Sequence, residues 1–276
     1  MPAKVMRLVK GAWRRLTCPV KGKNFMPIFE NGPVRIRYEE AGSGFPMLVI
    51  PGGGLNATVE KLTSDKSFNP LVAFTDTHRC VALDIRNANG GGTTGPLEVE
   101  RPWDANTDDQ LALMDHLGID KFVVTGFCIG GPLIWNLIRR APGRVMAAIL
   151  AHPSGFRAER PDLFYQNNID GWAPGLLESR RDISRDMVAQ FLHNMYRANP
   201  DFVFTVSRDI VRACDIPILI MPDDVAAHPY ATAMEAARLA PNAQVCLYPW
   251  REPSGHVDLA LRHVRTFLKA YTPAAE

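Results

Sequence analysis

The chain has 276 residues, enough for one large α/β domain with room for a small insertion. Hydrophobic residues at 46% and charged residues at 22% are the proportions of an ordinary globular domain, not of a disordered or fibrous chain. A formal net charge of +2 gives no global field of the kind that nucleic-acid binding uses.

The first stretch is basic: Lys4, Arg7, Lys10, Arg14, Arg15, Lys21 and Lys23 precede the first acid, Glu30, and alternate with Val5, Met6, Leu8, Val9, Trp13 and Leu16. Such an amphipathic segment could touch anionic lipid; the reading preferred here is an extension packed on the domain or frayed from it. It lacks the apolar core of a secretory signal, and no apolar run approaches the roughly 18 residues of a membrane-spanning helix.

Strands and helices then alternate. Residues 34–42, "VRIRYEEAG", alternate apolar and polar as a half-buried strand does. Residues 45–54, "FPMLVIPGGG", read as a buried strand running into a tight loop, and 79–87 as a second buried strand. A helix is expected from a Thr107 cap to Gly118, with Leu111, Met114 and Leu117 on one face. The strand 121–126, the helix 130–142 and the strand 144–155 follow. This rhythm is that of a mostly parallel sheet covered on both faces.

The rhythm breaks at Phe156. Up to about Cys214 the chain is rich in aromatic residues and holds one clear helix, capped by Ser184, with Val188, Phe191, Leu192 and Met195 on one face. It is expected to be a helical cap insertion whose aromatic side chains shape an apolar pocket. The strand 216–224, the helix 230–241, the strand 243–250 and a closing helix resume the α/β pattern. The expected organisation is therefore an extension over 1–30, a core made of 31–155 and 214–276, and a cap over 156–213.

The chemistry centres on "TGFCIGG", residues 125–131. In a G-x-nucleophile-x-G turn a strand enters a helix through a bend so sharp that the middle residue is strained and its neighbours must be small. Cys128 holds the nucleophile position, between a strand and a helix on the correct sides. Two further partners must follow, acid before histidine. "ILIMPDD" ends a strand at Asp223 and Asp224, and "EPSGH" places His256 just before the last helix.

Cys128, Asp224 and His256 in this order make residues 34–271 resemble the α/β-hydrolase superfamily, and in mechanism the cysteine-dependent dienelactone hydrolases. Counting back from Pro229 along the superfamily's pattern selects Asp224 over Asp223, which keeps a turn or capping role as the alternative. The resemblance implies two main-chain oxyanion donors: Ile129, after the nucleophile, and Gly53, in "PGGGLN". Gly54, Leu55, Phe127, His152, Trp172 and His228 are the candidate pocket residues. A second glycine run, 87–95, is read as structural.

A free cysteine has a pKa of about 8.5, lowered beside an imidazole or a helix N-terminus. The five cysteines, at 18, 80, 128, 214 and 246, form no C-x-x-C pair and leave an odd one over, which argues against a disulfide framework or zinc site and for a reducing, cytoplasmic setting. Apart from Cys128 they are left in the core or without a role. The expected activity is cofactor-independent and metal-free hydrolysis of an ester, lactone or thioester in a small molecule, through a cysteinyl thioester. The alternatives are a C–C bond hydrolase, acyltransferase, lyase or peroxidase-like enzyme on the same fold, a silent fold-mate, or an engineered cysteine in place of serine. Substrate identity and oligomeric state are not encoded in any motif of the chain.

Overall fold

A computed structural model describes residues 27–64 and 67–273; residues 1–26, which hold the basic segment and Cys18, lie outside the described residues. Among the described residues eight strands form one sheet: β1 (Ile28–Asn31), β2 (Val34–Ala41), β3 (Phe45–Ile50), β4 (His78–Leu83), β5 (Phe122–Phe127), β6 (Val145–Ala151), β7 (Ile218–Met221) and β8 (Ala243–Val245). Their spatial order is β1-β2-β4-β3-β5-β6-β7-β8. β2 runs antiparallel to β1 and β4, and the remaining pairings are parallel.

The central strands are apolar on both faces because both faces are covered. Along β3, Leu48 and Ile50 join the core that contains Leu133, Trp135 and Leu137 of α4 (Gly130–Arg140). Met47 and Val49 point the other way, into a core closed by Val264, Phe267 and Leu268 of α10 (Gly255–Tyr271). The period of two along the strand thus divides the interior into two layers. α1 (Lys61–Ser64) and α2 (Pro70–Ala73) follow β3, and α9 (Tyr230–Leu239) precedes β8.

One helix boundary departs from expectation. α3 spans Pro102–His116, with proline in its first turn, where a missing N–H costs nothing. Thr107 is therefore an interior residue, fully buried, and its hydroxyl donates to the Trp103 carbonyl at 3.4 Å. The buried polar set Asn106, Thr107, Asp109 and Gln110 hid the first turns from a hydrophobic pattern.

Between β6 and β7 run α5 (Leu163–Gly171), α6 (Ala173–Ser179), α7 (Arg185–Tyr196) and α8 (Arg208–Arg212). The Ser184 hydroxyl caps α7 by accepting from the Met187 N–H at 3.2 Å. Polar bonds tie these helices to α3 and to the sheet's loops. Trp103 Nε1 donates to the Met195 carbonyl at 3.0 Å, and Trp172 Nε1 donates to that of Asn87 at 2.9 Å. Asn56 Nδ2 donates to Gly171 O at 3.2 Å, while its Oδ1 accepts from Asn89 N–H at 3.1 Å.

Asp84, just past β4, holds the two glycine-rich loops together. Its carboxylate pairs with buried Arg37 at 2.9 Å and accepts the N–H groups of Val59 at 2.8 Å and Gly92 at 2.7 Å. The loop that follows β3 is thereby fixed on the same edge of the sheet as the end of β5. No helix among the described residues is long and apolar enough to cross a membrane.

Candidate active site

The turn after β5 has the geometry its glycines require. Cys128 sits at φ 54°, a region L-residues rarely occupy. A Cβ on Gly126 would lie 2.9 Å from the backbone of Gly130, and one on Gly130 would lie 3.2 Å from the Ile50 carbonyl. The bend is fixed from the β6 side, where Cys128 N–H donates to Ala151 O at 3.1 Å and Ser154 N–H donates to Cys128 O at 2.9 Å. Gly126→Ala should therefore destabilise the protein by roughly 1–3 kcal/mol, the usual effect of overpacking. A urea midpoint lowered at unchanged slope would show it; an unmoved midpoint would mean that the bend tolerates a methyl group.

Cys128 is half-buried. The Ser154 hydroxyl lies 3.3 Å from its sulfur, and the Gly53 N–H is directed at it. The imidazole of His228 faces it from the loop after β7. Burial pushes the thiol's pKa up, but His228, by hydrogen bonding and by charge, together with Ser154 and the Gly53 N–H, brings it down to about 6. For His228, burial pulls the pKa down, and the Asp223 carboxylate and the Cys128 thiolate raise it to about 9. Between those values the pair is a thiolate and an imidazolium. The buried Nε2 of His228 falls short of full hydrogen-bond geometry, as ligand-free catalytic pairs often do; each group is close enough to shift the other.

Asp223 completes the row. Its Oδ2 lies 3.1 Å from His228 Nδ1 and also pairs with Arg251. Burial raises its pKa, but the His228 hydrogen bond and the Arg251 charge outweigh this and lower it. His228 folds back over Asp223 because Val225 and His228 exchange backbone hydrogen bonds across Ala226 and Ala227, at 3.0 and 3.3 Å.

Two sequence expectations are corrected by this geometry. Asp224 is exposed and pairs with Arg157 at 3.0 Å, since consecutive residues leaving a strand point apart. His256 is the second residue of α10, and its Nδ1 lies 2.5 Å from the Pro249 carbonyl, on the loop after β8. Neither is brought to Cys128. That loop instead delivers Trp250, 1% exposed, whose Nε1 donates to the Pro222 carbonyl at 2.9 Å and whose ring stacks on His152, and then Arg251, which reaches Asp223.

The other expected residues divide into two groups. Gly53 (φ 120°) reaches the sulfur through its N–H, and Ile129 stands at the N-terminus of α4, where main-chain N–H groups lack helical partners. Gly54, at φ 61°, faces the Asn168 side chain: a Cβ there would lie 3.8 Å from Asn168 Oδ1. His152 is buried with its ring 4.8 Å from that of His228, and Phe127 stands behind it at 5.7 Å. Leu55 and Trp172, each 1% exposed, lie in the core; Trp172, just before α6, packs at a tilt against Phe191 and bonds to the second glycine loop.

Four neighbours carried no signal in the sequence: Ser154, Lys61, Asn168 and Tyr196. Burial pushes the Tyr196 hydroxyl's pKa up, and so does the Cys128 charge, against a hydrogen bond with Asn168. Both residues descend from helices between β6 and β7. Burial also pushes the thiols of Cys80 and Cys246 up, to about 12 and about 11. Among the described cysteines, Cys128 is the one whose surroundings favour the thiolate. Alkylation of Cys128 by iodoacetamide should accordingly rise through a midpoint near pH 6; a midpoint near that of free cysteine, about 8.5, would contradict the pairing.

A sharp strand-to-helix turn with a strained cysteine at its apex, in a sheet of this order, defines an α/β-hydrolase architecture. Residues 46–240 match the family described as the alpha/beta hydrolase fold. The chain belongs to that family and is an α/β-hydrolase. Solved structures with the same fold include a meta-cleavage product hydrolase from Pseudomonas fluorescens IP01, 19% identical, with 86% of this chain and 95% of that one covered at a TM-score of 0.62. An enol-lactonase from Burkholderia xenovorans LB400 is 16% identical over 88% of this chain and 100% of its own, at 0.63. Est816, an N-acyl homoserine lactone degrading enzyme, is 22% identical over 86% and 99%, at 0.62. No curated protein sequence matches the chain.

Proposed function

We propose that the protein hydrolyses ester-type bonds, in esters, lactones or thioesters of small molecules, with Cys128 as nucleophile, His228 as general acid and base, and Asp223 as the carboxylate that orients the imidazole. The observation that carries this reading is the chain Cys128–His228–Asp223, in which a strained, half-buried cysteine is coupled to a largely buried imidazole that a carboxylate holds. The set is of the Cys-His-Asp kind that dienelactone hydrolases use, with acid and histidine taken from one loop.

Because the resting pair is ionised, attack needs no prior proton transfer. The thiolate adds to the carbonyl, and the oxyanion is received by the N–H groups of Gly53 and Ile129. Collapse of the tetrahedral species expels the alkoxide, which takes the proton from His228 Nε2 and leaves a thioester on Cys128. The now neutral imidazole removes a proton from water, whose hydroxide adds to the thioester. The carboxylic acid departs and the thiolate–imidazolium pair is restored. The Ser154 hydroxyl stabilises the thiolate at rest, and Arg251 keeps Asp223 ionised.

The helices of 156–213 act as a cap in this reading, with Asn168 and Tyr196 turned toward the reacting centre. The lactone-directed relatives support an ester-type substrate; the meta-cleavage product hydrolase keeps C–C bond hydrolysis as the competing chemistry. A panel of p-nitrophenyl esters and lactones, run on the parent and on Cys128→Ala, tests the proposal. Turnover that the variant loses supports it. An inert panel beside rapid alkylation of Cys128 would transfer the site to the competing chemistry.

A further inference from the structure

Lys61 lies over the loop that supplies the Gly53 N–H. A Cβ on Gly53 would be 3.1 Å from both Cδ and Nζ of Lys61, so the ammonium runs along the same glycine that contacts the Cys128 sulfur. Burial lowers the proton affinity of Lys61, and the Cys128 charge raises it. Among the described residues no carboxylate pairs with it. The adjacent Glu60 is turned away, onto Arg37 at 2.7 Å.

The other charges around the reacting centre cancel in pairs: thiolate with imidazolium, Asp223 with Arg251, Asp224 with Arg157. Lys61 is left as a positive charge that no described carboxylate pairs with, although it feels the Cys128 charge. Lys61 is itself exposed, so its ammonium meets any anion arriving at this loop and can offer it a charge-assisted hydrogen bond. Its reach along Gly53 puts that anion a few bonds from a carbonyl bound at Cys128.

We propose that Lys61 forms an anion subsite beside the scissile carbonyl, and that the favoured substrates carry a carboxylate there. The inference rests on Cys128 being the reacting thiolate, so its test reads Cys128 directly as well as through turnover. The alkylating reagents iodoacetate and iodoacetamide differ chiefly in charge. The ratio of their rates at Cys128 should fall roughly 10-fold or more in Lys61→Met, the effect of losing one charge-assisted hydrogen bond. The ratio should persist in Lys61→Arg and shrink with added salt in the parent. In parallel, the preference in kcat/KM for the mono-p-nitrophenyl ester of glutaric acid over p-nitrophenyl butyrate should fall by a similar factor in Lys61→Met.

If both reagents react but their ratio does not move in Lys61→Met, the subsite is refuted while the thiolate stands. If the ratio moves while every ester stays inert, the subsite stands and hydrolysis of esters is refuted. If Cys128 reacts with neither reagent, both proposals fall together.

Discussion

Alanine at His228 should lower kcat/KM for an activated ester by roughly 10²–10⁴-fold, the range lost with a general acid–base group. Alanine at His256 should change it by no more than about 2-fold, the scale of a surface substitution. The contrast follows from position. His228 is coupled to both Cys128 and Asp223, whereas His256 turns its Nδ1 to the Pro249 carbonyl. In the His228 variant the expelled alkoxide has no proton donor at hand, and water has no base. The loss should therefore fall on kcat more than on KM, because the imidazole is spent on proton transfer and not on holding the ground state. Steady-state kinetics of the two variants on one ester suffice. Equal losses, or a larger loss at His256, would assign the proton transfers to the loop after β8.

Alanine at Cys128 should be more damaging still, by roughly 10⁴–10⁶-fold in kcat, since no covalent intermediate can form. Serine at the same position separates the thiol's part from the site's part. A hydroxyl is not ionised beside His228, so the imidazole loses the thiolate that helps hold its proton and must act as base before attack can begin. Mass spectrometry with a slowly hydrolysed ester should find the acyl group on the peptide that contains Cys128. Neutral hydroxylamine should release it from the parent, as a thioester, and leave it on Cys128→Ser, as an oxygen ester. An acyl group on any other residue would remove Cys128 from the nucleophile's place.

The parts of this account that the sequence made legible are those fixed by local chain geometry. Buried strands read as short apolar runs, and the turn at Cys128 read from glycines whose Cβ atoms would strike Gly130 and Ile50. Gly53 was legible for the same reason, as a glycine that backbone at φ 120° requires. The partner histidine was not. Placing it takes a four-residue reversal from Val225 to His228 and a tryptophan, Trp250, that fills the space beside His152. Both are tertiary facts that the order of acid and histidine along the chain does not contain. "DDVAAH" carried a faint signal, with an acid and a histidine on either side of two alanines small enough to turn.

Lys61, Asn168 and Tyr196 reach the site from a four-residue helix and from two helices between β6 and β7. In the sequence each is an ordinary residue of a helix face. Only packing buries Asn168 and Tyr196 and lays the exposed Lys61 along Gly53. The first turns of α3 were missed for a related reason, because buried polar residues there bond to the helix backbone, to Asn136 of α4 and to Arg86, leaving no apolar stripe to read.

The claim on which the mechanism rests is that His228 holds Cys128 as a thiolate near neutral pH. The ultraviolet absorbance of the thiolate, followed against pH in the parent with Cys128→Ala as blank, measures this without any substrate. The expected titration has its midpoint near pH 6 in the parent and in His256→Ala, and in His228→Ala it moves above the roughly 8.5 of a free cysteine. A parent midpoint at or above that value, or one that loss of His228 leaves in place, would contradict the pairing.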